Sequence, residues 1–159
     1  MAILEKVAGL VVEVLTFDPS MVLIGRENYN SPLLQSDTIV IDSIGNDTIS
    51  ETYDYNKATE TEYYNAVIKT QVTVSFFGGS ASANANKLRV LLKSEIAYQF
   101  CVLNQIAVYN ASRVDNIKAL QGSTYNERYD VVFNATYNHH ETVSTLRIDT
   151  PQIEIIVNK

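Results

Sequence analysis

Between Tyr64 and Phe77 the side chains alternate with a period of two. Tyr64, Ala66, Ile68, Thr70, Val72, Val74 and Phe76 form one mainly apolar face. Asn65, Lys69, Gln71, Thr73 and Ser75 form a mainly polar one, with Val67 and Phe77 as its apolar members. This alternation belongs to a strand with one side on a core and the other in water, the habit of antiparallel sheets. Counted from Glu62, the strand covers about 16 residues and roughly 50 Å at ~3.3 Å per residue. Ordinary strands stop at about 5–6 residues. Its expected partner is the stretch 47–55, joined through "NKATET" (56–61). Such a hairpin is longer than a domain of 159 residues requires, so part of it should project.

The rest of the chain supplies the layer that covers this strand. Ile3, Leu4, Val7, Leu10, Val11 and Val14 recur at helical spacing, and Asp18-Pro19-Ser20 closes that helix. "MVLIG" (21–25) reads as a short buried strand, and "RENYNSPLLQSD" (26–37) carries turn chemistry throughout. "TIVIDSIG" (38–45) and "DTISETYDY" (47–55) read as two further strands. After "FFGGSASANANKL", the residues Leu88, Leu92, Ile96, Phe100 and Leu103 mark the core face of a second helix. Residues 105–120 read as a short strand and an irregular link, and 127–138 alternate again. Residues 145–157 read as a closing strand, at an edge or broken at Pro151. The expectation is one domain over 1–159. It is of α+β class: an antiparallel or mixed sheet with a long hairpin and two helices on one face.

Composition narrows the function. The formal net charge is −6 and the basic residues are scattered, which argues against gripping nucleic acid through its phosphates. No apolar run approaches a bilayer span. Glu5, Lys6 and Glu13 interrupt the N-terminal apolar stretch, so it reads as a helix and not a signal peptide. A single cysteine, Cys101, excludes an intrachain disulfide and suits a reducing cytosol.

The joint at Gly78-Gly79 has the order strand, glycines, helix that phosphate-binding loops use. It lacks the lysine and hydroxyl of a P-loop and the third glycine of a dinucleotide fingerprint. Glycines that permit a turn, with Ser80 or Ser82 capping the helix, explain every residue there. His139 and His140, the only histidines, would point to opposite faces of a strand, and they read as loop residues at a hairpin end. With one cysteine besides, no zinc set can be assembled. Cys101 reads as a small half-buried hydrophobe. No catalytic constellation, cofactor or metal site is expected. Glu51, Asp54, Glu60 and Glu62 cluster around the hairpin tip, where solvation accounts for them. Tyr53, Tyr55, Tyr63 and Tyr64 gather on the same hairpin. They suit either an oligomer interface or cross-strand pairs that hold the ribbon together.

Taken in order, the N-terminal helix, "MVLIGRENYNSPLLQSDTIVIDSI", "IKTQVTVSFFGGSASANANKLRVLLKSE", the V-x-N-I-x-x-L link at Val114 to Leu120 and "ERYDVVFNATYN" form a series. The series resembles the tail (neck) terminator proteins of tailed bacteriophages over nearly the whole chain, from Val22 to Ile155. The second glycine and the His-His pair depart from that pattern. The resemblance implies a structural virion protein at the neck, assembled in the host cytoplasm, with no catalytic residues. It implies a six-fold ring seated on the tail tube protein, ending tube growth and meeting the head-side connector, with genomic DNA passing through. Six copies at −6 each would carry roughly −36 before screening. The competing readings are a tube or head-completion protein and a small ligand-binding domain at the glycine joint.

Overall fold

The computed structural model describes residues 3–25, 37–121 and 124–145. Helix α1 (Ile3–Leu15) is followed by one turn of 3-10 helix at Pro19–Met21 and strand β1 (Val22–Ile24). Asp18 closes this corner, its carboxylate accepting from the Ser20 amide at 2.9 Å. Next come β2 (Thr38–Asn56) and β3 (Thr61–Phe77), then helices α2 (Ala81–Leu91) and α3 (Glu95–Leu103). Strands β4 (Ile106–Tyr109), β5 (Asp115–Gln121) and β6 (Thr124–Ser144) complete the described chain. The sheet runs β1-β2-β3-β6-β4, and β5 pairs with β6 further along the same strand. Only β1 against β2 is parallel. The class is α+β, as the alternating pattern requires.

The core lies on one side of the sheet. Ile39, Ile41, Val72, Val74, Phe76, Val131, Phe133 and Ala135 supply its sheet half. Val7, Leu10, Val11 and Val14 of α1, with Ala85 and Leu88 of α2 and Ala97 of α3, pack down on them. The even residues of β3 are therefore the helix-facing ones.

Several expectations need correction. The segments 38–45 and 47–55 are one strand of 19 residues. Register shifts fall between Ile44 and Asn46 and again between Thr48 and Ser50. Each inserted residue reverses the alternation, so the helix-facing set passes from Ile39 and Ile41 to Asn46 and Thr48, then back to Glu51 and Tyr53. Read as letters, the reversal looks like a boundary. Gly45 takes φ +69 at the first bulge, and the buried Thr70 hydroxyl donates to its carbonyl at 3.0 Å.

The second helix is two helices. Ser94 starts α3 by accepting from the Ala97 amide at 3.3 Å. The break rotates the later residues, so Ala97 is buried, whereas Ile96 and Leu103 are 54% and 82% exposed. The link after β4 is irregular only to Val114 before it becomes β5, and β6 extends well beyond 127–138 at both ends. Strand β1 is half-buried, not buried. The expected turn at 26–36 and the closing strand after Thr145 lie outside the described residues.

Candidate assembly surface

Strands β2, β3 and β6 continue together past the helix layer as a three-stranded arm. From Thr70 outward to Thr61 it covers roughly 30 Å at ~3.3 Å per residue. At its tip the turn 57–60 is held by the Asn56 side chain, which accepts from the Ala58 amide at 2.9 Å. The end of β6 is tied to the same turn, with the Thr145 amide donating to the Glu60 carbonyl at 2.9 Å. The expected projecting hairpin is present, and a third strand stiffens it.

Both outer edges of the arm are open among the described residues. Strand β1 covers β2 only at Ile39–Ile41, and β4 covers β6 only at Asn134–Tyr137. Beyond those points each edge presents unpaired backbone donors and acceptors, the groups to which another strand adds.

The four tyrosines divide between the two faces. Tyr53 stands opposite Tyr64, and Tyr55 stands opposite Glu62, all on the helix-facing side; Tyr63 stands opposite Asp54 on the other. The Tyr53 and Tyr64 rings meet with centroids 5.3 Å apart, tilted by 52°, so they do form a cross-strand pair. Glu62 ties them together, accepting from the Tyr64 hydroxyl at 2.7 Å and the Tyr53 hydroxyl at 3.2 Å. That hydrogen bond raises the Tyr64 pKa. For Tyr53, partial loss of solvent comes first and the Glu62 charge second, again raising it. Tyr53 is nevertheless 58% exposed and Tyr64 44%. Beside the pair, a cavity of about 170 Å³ sits over Ala66, with Glu51, Tyr64, His139 and Glu141 around it.

The histidines lie inside β6 along the arm, not in a loop. They do face opposite ways. His139 stands 3.0 Å from Glu141 on the tyrosine side, and His140 meets Asn65 on the other. Among the described residues no group of three His, Cys, Asp or Glu side chains gathers to hold a metal.

The glycine joint turns a corner around Asp37. Gly78 takes φ +94, and a Cβ there would run into the Asp37 carboxylate and stand 2.7 Å from its backbone. Asp37 accepts from the Ser80 amide at 2.9 Å, so the helix N-terminus already has its anion. A phosphate brought there would meet a carboxylate. Ser80 occupies the cap position without a side-chain cap bond, contrary to expectation. The sequence carries no sign of Asp37's part here, because it lies a whole hairpin away from Ser80. Gly79 has no atom within 4 Å of its would-be Cβ and no special φ, so nothing there demands glycine.

Cys101 is half-buried beside a cavity of about 400 Å³ between α3 and β4, walled chiefly by Leu92, Tyr98, Val102, Ile106 and Val108. Burial pushes its pKa up, partly offset by a backbone hydrogen bond to Val108. Its thiol is therefore a poor nucleophile at neutral pH. Among the described residues no helix is long and apolar enough to cross a membrane.

A comparison with curated proteins finds no match. A comparison with protein families matches the whole chain, residues 1–159, to the phage neck terminator proteins. That family is one of structural proteins of the phage neck and tail, which agrees with a molecule whose most developed feature is a β-arm with both edges open among the described residues. With all of its residues matched, this chain belongs to the phage neck terminator family.

Proposed function

We propose that the protein closes into a ring, hexameric as the resemblance implies, which caps the tail tube, ends its growth and joins it to the head connector. The observation that carries this reading is the arm with two open edges. Because β3 is antiparallel to both neighbours, β2 and β6 run the same way. In a ring whose arms share one direction, the edge of β6 at 138–144 meets the edge of β2 beyond Ile41, both open among the described residues, as a parallel pair. Each junction continues the sheet, and the contact is head-to-tail, so its rotation closes. Parallel pairing is slightly weaker per residue than antiparallel. Closure therefore gains from a template such as the tube.

The two faces of the arm differ, and that supports passage of DNA. The side turned away from the helices carries short amides and hydroxyls, among them Thr52, Asn65, Gln71, Thr136 and Thr142. Within the arm its described charges are Asp47 and Asp54 against Lys69, with Tyr63 and Val67 as apolar exceptions. A hydrated, net negative wall repels the phosphate backbone, so DNA slides along it instead of binding. On this reading the polar side faces the lumen.

The test is imaging of purified particles carrying a label on this chain, with light scattering of the free protein. One closed layer between tube and head is expected. Filaments that lengthen with concentration would make the chain a tube protein, and absence of the label from the neck would remove the proposal.

A further inference from the structure

We infer that the tyrosine side of the arm is a docking face for an amphipathic helix of a different protein, one that sets an arginine or lysine in its apolar stripe. The inference rests on the ring reading, which turns this side away from the axis and toward no other copy of the chain. The helix-facing side of the sheet is covered only at its base, where Ile41, Val74 and Val131 are fully buried beneath the helices. Further out the same side is bare: Tyr53, Tyr64 and Val143 are 58%, 44% and 45% exposed. One side of one sheet thus begins under a helix layer and ends without it. The edges of the arm are taken up by the ring junctions, so a partner finds a face to cover and no strand to extend. What covers this face at its base is helix, and a helix laid over the arm continues the same layer.

Charge gives the partner its sign. The bare side carries Glu51, Glu62 and Glu141, with no lysine or arginine among the described residues. Its histidine, His139, stands 3.0 Å from Glu141. Glu62 is engaged by the hydroxyls of Tyr53 and Tyr64, which leaves Glu51 and Glu141 to meet an incoming cation. Shape gives the partner one anchor. Ala66 lies on the central strand between Glu51 and His139, and its small side chain leaves the cavity that Tyr64 and Glu141 also line. A long cationic side chain can lay its stem over Ala66 and the Tyr64 ring and bring its head to the carboxylates. Apolar residues along the same helical stripe would then cover Tyr53 and Val143.

The test uses purified particles in which p-benzoylphenylalanine stands at position 53, so that light links this chain to whatever lies on the tyrosine side. Mass spectrometry identifies the linked peptide, and imaging of the same particles shows whether the ring is closed. The expected product is a segment of another virion protein with apolar residues at helical spacing and an arginine or lysine among them. Glu51→Lys with Glu141→Lys should lower the yield of that product at least tenfold. Ala66→Leu, which fills the cavity without changing charge, should lower it at least fivefold. Circular dichroism of the purified variants checks folding; should either not fold, Glu51→Gln with Glu141→Gln decides, with a loss of at least threefold expected. A closed ring that gives no link, a link to a second copy of this chain or a linked segment without a basic residue overturns this inference and leaves the ring standing. Unchanged yield in a folded variant overturns it as well. Absence of the ring from the neck removes both readings.

Discussion

At Gly78 two independent demands fall on one position: a left-handed backbone and an Asp37 backbone too near for any Cβ. Gly78→Ala should therefore destabilise the fold by roughly 2–4 kcal/mol, through strain and overpacking together. Gly79→Ala should stay within about 0.5 kcal/mol, since its surroundings are open. Urea denaturation of the two variants checks the contrast. Cys101 gives a second prediction. Its raised pKa means that the folded thiol keeps its proton to higher pH than an unfolded one, so alkylation by iodoacetamide at pH 8 should be slower than for a free cysteine. The sign for stability follows. This contribution is fully present below the ordinary thiol value of 9.0 and is lost as pH rises through the folded value. Mass spectrometry of the alkylated protein across pH reads the rate.

Strand β2 shows how an element acquires its shape. Two inserted residues give it two changes of face, and the first is held by a single side chain, Thr70, bonded to the Gly45 carbonyl. Thr70→Val keeps the volume and removes the bond. The expected cost is about 0.5–1.5 kcal/mol, with faster amide exchange in 44–50, measurable by urea unfolding and hydrogen-exchange mass spectrometry. Unchanged exchange there would mean that the bulge is held by its backbone alone. The break between α2 and α3 has the same kind of cause. Ser94 offers an N-cap inside an apolar run, and that local bond re-aims Ile96 and Leu103 outward. Ser94-Glu95 is a legible start signal, but the apolar spacing across it reads as uninterrupted helix.

On the scale of the whole molecule, the arm has a polar side and a tyrosine side, and in the ring proposed above these face opposite ways. If the polar side lines the passage, its charge decides whether DNA slides or adheres. Asp47→Lys with Asp54→Lys reverses the sign at that wall. The variant should hold double-stranded DNA at low salt and release it as salt rises, while the unmodified protein should show no retention. Fluorescence anisotropy with a labelled duplex measures this, and equal behaviour of the two proteins would mean that the charge of this side does not govern its contact with DNA.

The α+β class, the first helix and the projecting hairpin were all legible in the letters, because burial on one side of a strand or helix imprints its period locally. The resemblance to neck terminators also rests on local order. What the letters could not carry was anything decided between distant residues. Asp37 reaches Ser80 across a hairpin, register puts Tyr53 and Tyr55 on the side of Tyr64 and not of Tyr63, and β6 runs on to make the arm three-stranded. Bulges hid the unity of β2 by reversing the very signal that identifies strands. Local period follows from which side of an element is wet; partners and faces follow from where the chain returns, and only the folded structure decides that.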